Sequence, residues 1–191
     1  MQAFIAAGGL SSRFGEDKTL YNLCGKPIIK WVIDALEGFD ITILCKDPKK
    51  FESFKGVKVY KDLISTHVAM AGLYSALYYA SGERILFLSA DAPFIKREIL
   101  NVLIENASAL ACVFDIDGLQ PMPGVYHTAL LPEVERRICK GNYSLRALLK
   151  SVECRVLTKE CAGRRDSGLI SFFNINTKQD ADFAIRLCKE L

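Results

Sequence analysis

The chain has 191 residues, half of them apolar and a quarter charged, with a formal net charge of +3. That length suits a single domain over residues 1–191 with a core of its own, and the small charge gives no basis for a nucleic-acid or membrane-surface partner. No apolar run approaches the roughly 18 residues of a membrane span, and the N-terminus lacks the basic flank and apolar stretch of a signal peptide, so a cytoplasmic protein is expected.

In chain order, Gln2 to Ala7 reads as a first strand closed by Gly8-Gly9. Pro27, favourable at a first helical position, opens a helix whose apolar face carries Ile28, Trp31, Val32 and Leu36. Ile41–Cys45 and Val57–Tyr60 are predicted strands, Ala69–Tyr79 a helix, and Ile85–Leu88 a buried strand. Arg97–Asn106 has helical spacing and Leu110–Phe114 the character of a strand. Turn residues between Asp115 and Tyr126 predict a hairpin near Gly118. Helices at Ala129–Cys139 and Ser144–Lys150 follow, then strands at Arg155–Thr158 and Ser171–Ile175 and a last helix at Lys178–Leu191. Strands separated by helices imply right-handed crossovers and an α/β fold, its mostly parallel sheet covered on both faces and joined by a small antiparallel hairpin.

Seven cysteines are more than such a chain needs, but their number is odd, their spacing scattered, and no C-x-x-C occurs. Only His67 and His127 could join them around zinc. They read as small buried apolar residues in a reducing compartment, with a Cys154–Cys161 bridge as the exception to check.

Open α/β sheets bind ligands beyond the carboxyl ends of their strands. The first such end is Ala6-Ala7-Gly8-Gly9-Leu10-Ser11-Ser12-Arg13-Phe14-Gly15-Glu16-Asp17-Lys18. Its glycines bring backbone N–H groups close to a ligand, and Arg13 and Lys18 add positive charge, a combination suited to a polyphosphate. It is not a P-loop, since no Gly-Lys-Ser/Thr closes it, and it lacks the G-x-G-x-x-G of dinucleotide binding. An NAD-dependent enzyme is therefore set aside.

This loop resembles the signature L-A-G-G-x-S-x-R-M-G-x-D-K of the molybdenum cofactor guanylyltransferase family, with Ala6 and Phe14 standing where that signature has Leu and Met. Gly25-Lys26-Pro27 is similar to the family's G-K-P, and Leu88-Ser89-Ala90-Asp91-Ala92-Pro93 to its acidic D-x-P element. Gln120-Pro121 with Gly124-Val125-Tyr126, Gly141 with Ser144-Leu145, and Asn174-Ile175-Asn176-Thr177 continue the likeness over nearly the whole chain. The resemblance implies a three-layer, Rossmann-like nucleotidyltransferase fold. It also implies transfer of GMP from GTP to molybdopterin carrying molybdenum, yielding a guanine dinucleotide cofactor and pyrophosphate, with Mg²⁺ as cofactor. It leaves open a transient contact with other proteins of cofactor biosynthesis.

The resemblance assigns GTP binding to Ala6, Ala7, Gly8, Gly9, Lys18, Asp62 and Asp91, catalysis to Lys18, Arg13 and Asp91, and the metal to Asp91. Asn174 and Asn176 are assigned to the acceptor. Each residue also has an ordinary reading: Asp91 as a helix cap, Lys18 as a surface lysine paired with Glu16 or Asp17, Asp62 as a turn residue. Asn174 and Asn176 likewise suit the turn and cap before the last helix. Where the family often has Gly-Pro-Leu-Ala-Gly this chain has Val68-Ala69-Met70-Ala71-Gly72, Leu44 stands where some members place Asn, and Gln120 replaces a His. These departures keep three alternatives in view: cytidylyl transfer to the pterin, guanylyl transfer to a phospholactate-type acceptor, and a nucleotide-binding module without transfer.

Overall fold

A computed structural model describes residues 1–9, 14–15 and 17–189. Its centre is a seven-stranded sheet. The strands are β1 (Gln2–Ala6), β4 (Asp40–Cys45), β5 (Lys58–Lys61), β6 (Arg84–Ser89), β7 (Ala111–Asp115), β8 (Leu119–His127) and β9 (Cys154–Leu157), in spatial order β5-β4-β1-β6-β8-β7-β9. All neighbours run parallel except β8, which is antiparallel to both β6 and β7. Two short strands, β2 (Asn22–Leu23) and β3 (Lys26–Pro27), form a separate antiparallel pair.

Both faces of the sheet are covered, which explains why its strands read as unbroken apolar runs. On one face, Ala3 and Ile5 of β1, Ile43 of β4, and Leu86 and Leu88 of β6 pack under α1 (Ile28–Ala35) and α3 (Arg97–Glu105). On the other, Phe4, Leu44, Ile85 and Phe87 meet α2 (Ala69–Tyr79), α4 (Leu131–Cys139) and α5 (Leu145–Leu149). Successive residues thus alternate between two buried layers, as a strand's period of two requires. A third cluster joins Phe14, Leu23, Ile28, Phe94 and Ile175 to Ala181 and Ala184 of α7 (Lys178–Cys188), packing the end of the chain beside the first loop. The short α6 (Lys159–Gly163) follows β9. No helix among the described residues is long and apolar enough to cross a membrane.

The α/β class, the parallel sheet and the β7–β8 hairpin are as expected. The hairpin turns at Asp117 (φ 54°) and Gly118 (φ 124°). One expectation fails, and the exception kept for the cysteines does not occur. Ser171–Ile175 is not a strand but a 3₁₀ turn (Ile170–Phe172) leading into an irregular segment. Leu169 enters it at φ 51°, the Ser171 amide donates to Asp166 Oδ2 (2.8 Å), and Ser171 Oγ accepts from the Lys96 amide (3.1 Å). Side-chain bonds of this kind take the backbone away from a ladder. There is no Cys154–Cys161 bridge either, since all seven cysteines are free; Cys45 and Cys112 are buried, and the other five lie nearer the surface. The last helix ends at Cys188, and residues 190–191 lie outside the described residues.

Candidate active site

Three strands end side by side at one edge of the sheet. The register pairs Ala6 with Leu44 on one side and with Ser89 on the other, so the loop after β1 emerges between the ends of β4 and β6. Two backbone bonds set its path, Ala7 N–H to Leu44 O (2.8 Å) and Ala90 N–H to Ala6 O (3.1 Å). Gly8 and Gly9 then pass over the mouth of the crevice, and three adjoining cavities open around them. Gly9 lines all three.

The cavity on the β6 side is lined by Ala6, Ala7, Gly9, Lys18, Thr19, Ser89, Ala90 and Asp91. Here Lys18 Nζ donates to Asp91 Oδ2 (2.5 Å) and to Asn176 Oδ1 (3.0 Å), while Ser89 Oγ donates to Asp91 Oδ1 (2.5 Å). The Lys18 and Asp91 side chains are 13% and 15% exposed, so this is a largely desolvated ion pair rather than a surface one. Lys18 is presented from a 3₁₀ turn (Lys18–Leu20) capped by Asp17, whose Oδ1 accepts from Thr19 N (3.3 Å) and Thr19 Oγ1 (2.7 Å). Asp17 Oδ2 accepts from Lys50 (2.8 Å), which ties the turn to the segment after β4. Burial raises the Asp17 carboxyl, but the bonds from Lys50 and Thr19 outweigh it and leave it below its ordinary value.

Asn176 reaches this cavity because the chain before α7 is bound to the end of β6: the Ile175 amide donates to Asp91 O (2.9 Å). A capping box then fixes the next residues, with Thr177 accepting from Asp180 N (3.1 Å). Asp180 Oδ2 accepts in turn from the amides of Thr177 (2.8 Å) and Asn176 (2.9 Å). Burial raises the Asp180 carboxyl, and these bonds together with the Lys18 charge bring it below its usual range.

On the β4 side, Ala6, Gly8, Gly9, Lys46, Asp62, His67, Val68, Ala69 and Met122 are among the lining residues of a second cavity of about 120 Å³. Asp62 follows β5, its amide bonded to Cys45 O (2.8 Å), and its side chain is only 4% exposed. Lys46 Nζ lies 3.1 Å from Asp62 Oδ2. His67 Nδ1 is 2.6 Å from Gly8 O, an acceptor, so that nitrogen carries the proton. The third cavity, about 230 Å³, lies beyond this contact and is lined by Gly8, Asp17, Lys46, Asp47, Lys50, Phe51 and His67 among others. Cys45, also on its wall, has its thiol pushed up to about 12 by burial and the neighbouring Asp62 charge, which leaves it no nucleophilic role near neutrality.

Of the residues named from sequence, Lys18, Asp91 and Asn176 meet at one point. Ala6, Ala7, Gly8 and Gly9 line the crevice, and Asp62 stands on its far side, across the loop from Asp91. Asn174 does not join them: its Nδ2 donates to Phe172 O (3.2 Å), which is turn chemistry. Arg13 lies outside the described residues. Sequence reasoning missed Ser89, Lys46, His67 and the Asp17–Lys50 tie. Ser89 and Lys46 stand at or just beyond a strand's carboxyl end, a position that could have flagged them, whereas His67 and Lys50 carried no such signal.

The MobA-like NTP transferase domain is the family whose model matches residues 3–156. A probable molybdenum cofactor guanylyltransferase of Aquifex aeolicus is 36% identical over 179 residues, covering 93% of this chain and 86% of that protein. One of Pyrococcus furiosus is 31% identical over 186 residues, covering 92% of each. Among solved structures, molybdopterin-guanine dinucleotide biosynthesis protein A from Archaeoglobus fulgidus superposes with a TM-score of 0.90 at 30% identity, over 100% of both chains. With most of its length matched by the family model, and relatives of this identity along nearly all of it, the chain belongs to the MobA-like NTP transferase family.

Proposed function

We propose that this chain transfers the guanylyl group of GTP to a terminal phosphate of a molybdopterin-type acceptor and releases pyrophosphate. One observation carries most of the weight: Lys18, Asp91 and Asn176 converge at the foot of a glycine loop, where three parallel strands end. The names borne by the Aquifex and Pyrococcus relatives supply the acceptor and the base.

A phosphate oxygen of the acceptor attacks the α-phosphorus and forms a new P–O bond. The bond from that phosphorus to the α–β bridging oxygen breaks, and its electron pair leaves with pyrophosphate. No covalent enzyme intermediate is needed, so the protein's work is positioning and charge stabilisation. Gly8 and Gly9 bring backbone close to the phosphates. Lys18 supplies a compact positive charge from a turn fixed by Asp17 and Thr19.

The residues also suit Mg²⁺. A cation already sits between Asp91 Oδ2 and Asn176 Oδ1 in the form of the Lys18 ammonium, and hard oxygens are the donors magnesium prefers. Asp91, with Asn176, would hold the ion, which when bound would neutralise charge on the triphosphate. Lys18 would then exchange its carboxylate partner for phosphate oxygens.

Thermal unfolding with Mg²⁺ and each common nucleoside triphosphate, followed by a pyrophosphate-release assay with the pterin acceptor, tests this reading. A ligand at about 100 times its Kd adds roughly 2.7 kcal/mol, a rise of about 5–10 °C for a domain of this size. GTP should give that rise, and pyrophosphate should appear only when the acceptor is present. A rise with CTP alone points to cytidylyl transfer, binding without pyrophosphate to a non-catalytic module, and no rise with any triphosphate overturns the proposal.

A further inference from the structure

The β2–β3 hairpin pairs Asn22 with Pro27 and Leu23 with Lys26, which leaves Cys24 and Gly25 as a two-residue turn. Both have positive φ, 51° and 93°. Such a turn favours Asn or Asp followed by Gly, and other side chains are uncommon there. Cys24 therefore holds a position that its backbone preference does not explain. The turn itself is firmly built: the Gly25 amide donates to Asn22 Oδ1 (2.8 Å), and Trp31 Nε1 donates to Leu23 O (3.0 Å). The thiol it presents is exposed and lies against α7, donating to Ile185 O at 4.0 Å.

Cys188 stands on the same turn of α7 as Ile185. It is half-buried against the cluster that holds Leu23 and Ile28, and its thiol meets that of Cys24. Burial, then the hydrogen bond and charge of Cys24, push the Cys188 thiol up to about 12. Among the other cysteines, Cys45 and Cys112 are buried, and Cys154 and Cys161 pack on opposite faces of the sheet.

We infer that Cys24 and Cys188 form a redox-controlled modification site, at which a low-molecular-weight disulfide converts the two thiols into a bridge between the hairpin and α7. The exposed Cys24, as thiolate, attacks one sulfur of that disulfide. The S–S bond of the small molecule breaks, and its first half leaves as a thiol, taking up the proton that Cys24 lost. Cys188 then gives up its proton and attacks Cys24 Sγ, and the second half leaves as a thiol with that proton. Two protein thiols are oxidised and one small disulfide is reduced. In the mixed disulfide Cys24 bears no charge, so one of the causes that hold the Cys188 proton is gone when the second step begins. The bridge joins two segments of the candidate active site. The hairpin follows the turn that presents Lys18, and α7 follows the segment that carries Asn176. Lys18 donates to Asn176 before the first turn of α7, and the bridge fastens the same two segments at the last turn, about 15 Å along the helix axis.

The test is incubation of the full chain with glutathione disulfide, followed by peptide mapping without reductant and thermal unfolding without nucleotide. A Cys24–Cys188 peptide pair should appear, and dithiothreitol should remove it. The bridged form should unfold about 5–15 °C above the reduced form, with slower amide exchange across residues 176–188. Asn suits the turn, so reduced C24N should be at least as stable as the reduced parent, yet gain nothing on oxidation. C188A should likewise gain nothing. Glutathione retained at Cys24 without a bridge, a bridge between other cysteines, or a bridged form with unchanged Tm overturns the inference. So does a reduced C24N less stable than the reduced parent, which would assign Cys24 to packing. No nucleotide enters these measurements, so their outcome is independent of the guanylyl reading.

Discussion

Gly8 and Gly9 are adjacent, chemically identical and both at the mouth of the crevice, yet alanine should act on them in opposite ways. Neither has its backbone in the left-handed region, so the difference lies in the space around each Cβ. At Gly8 the new methyl would collide with Asp62 Oδ2 and come within 3.5 Å of Lys46 Cε. At Gly9 nothing among the described residues lies within 4 Å. Alanine for glycine at an unstrained position stabilises by about 0.4–1 kcal/mol through the unfolded chain, whereas overpacking a tight site costs about 1–3 kcal/mol. Relief at Gly8 requires the Asp62 carboxylate to leave Lys46, and that carboxylate is almost fully buried. The net loss for Gly8→Ala is therefore about 1–2 kcal/mol, a fall of roughly 2–8 °C in Tm for a domain of this size. Gly9→Ala should hold or slightly raise Tm. Because Gly9 lines all three cavities, its methyl occupies ligand space, and GTP affinity should drop about tenfold, or ~1.4 kcal/mol. Differential scanning fluorimetry and calorimetry with GTP and Mg²⁺ read the two effects separately. A Gly8→Ala protein as stable as the parent, or a Gly9→Ala protein that binds GTP as well as the parent, would refute this account of the loop.

Asp91→Asn and Lys18→Ala should each lower kcat by about 10²–10³, the usual loss when a charge-stabilising group is removed, with circular dichroism and Tm close to the parent. Loss of fold in either would show the pair to be structural. The Asp17–Lys50 tie should show in the pH dependence of unfolding. Asp17 lies below its ordinary 3.8 when folded, so its contribution is present above that value and fades as pH falls through the lower folded value. Lys50 is raised above 10.5, chiefly by the hydrogen bond it donates to Asp17, so its contribution is complete below 10.5 and fades as pH rises through the folded value. Urea titrations of Asp17→Asn from pH 2 to 12 should therefore show a flatter profile at both ends, and a difference confined to neutral pH would contradict the assignment.

Alternation of strand and helix was legible because both faces of the sheet are buried, which makes apolar runs long and their boundaries sharp. The loop was legible for another reason: its cations and glycines lie within one short segment. Lys18 and Asp91 are 73 residues apart, yet the loop after β1 and the end of β6 bring them to the same carboxyl side of the sheet, where an open sheet collects its ligands. The strand expected at Ser171–Ile175 failed for a reason no local pattern carries. Its apolar run has strand character, but Asp166 and the Lys96 amide, the latter 75 residues away, take up the polar groups of Ser171. Asn174 fails in the opposite sense, since its turn chemistry was written locally and the structure keeps it there.

The Lys46–Asp62 pair shows most clearly what the sequence withheld. The two residues are ordinary in type, and only the register of β5 against β4 brings them together. Cys45 pairs with Lys61, so the next residue on each strand, Lys46 and Asp62, falls on the same face at the same level. The core sets that register. Ile43 and its partner Val59 point into the layer under α1, whereas Leu44 and its partner Tyr60 point to the other face, where the Tyr60 ring lies 4.8 Å from Tyr79 of α2. A slip of one residue would turn Val59 to the wrong layer and carry Asp62 away from Lys46. The packing that stabilises the edge of the sheet thus also positions the Lys46–Asp62 pair in the wall of the crevice. A substitution that loosens that edge should therefore separate Lys46 from Asp62 and reshape the crevice wall before it unfolds the protein.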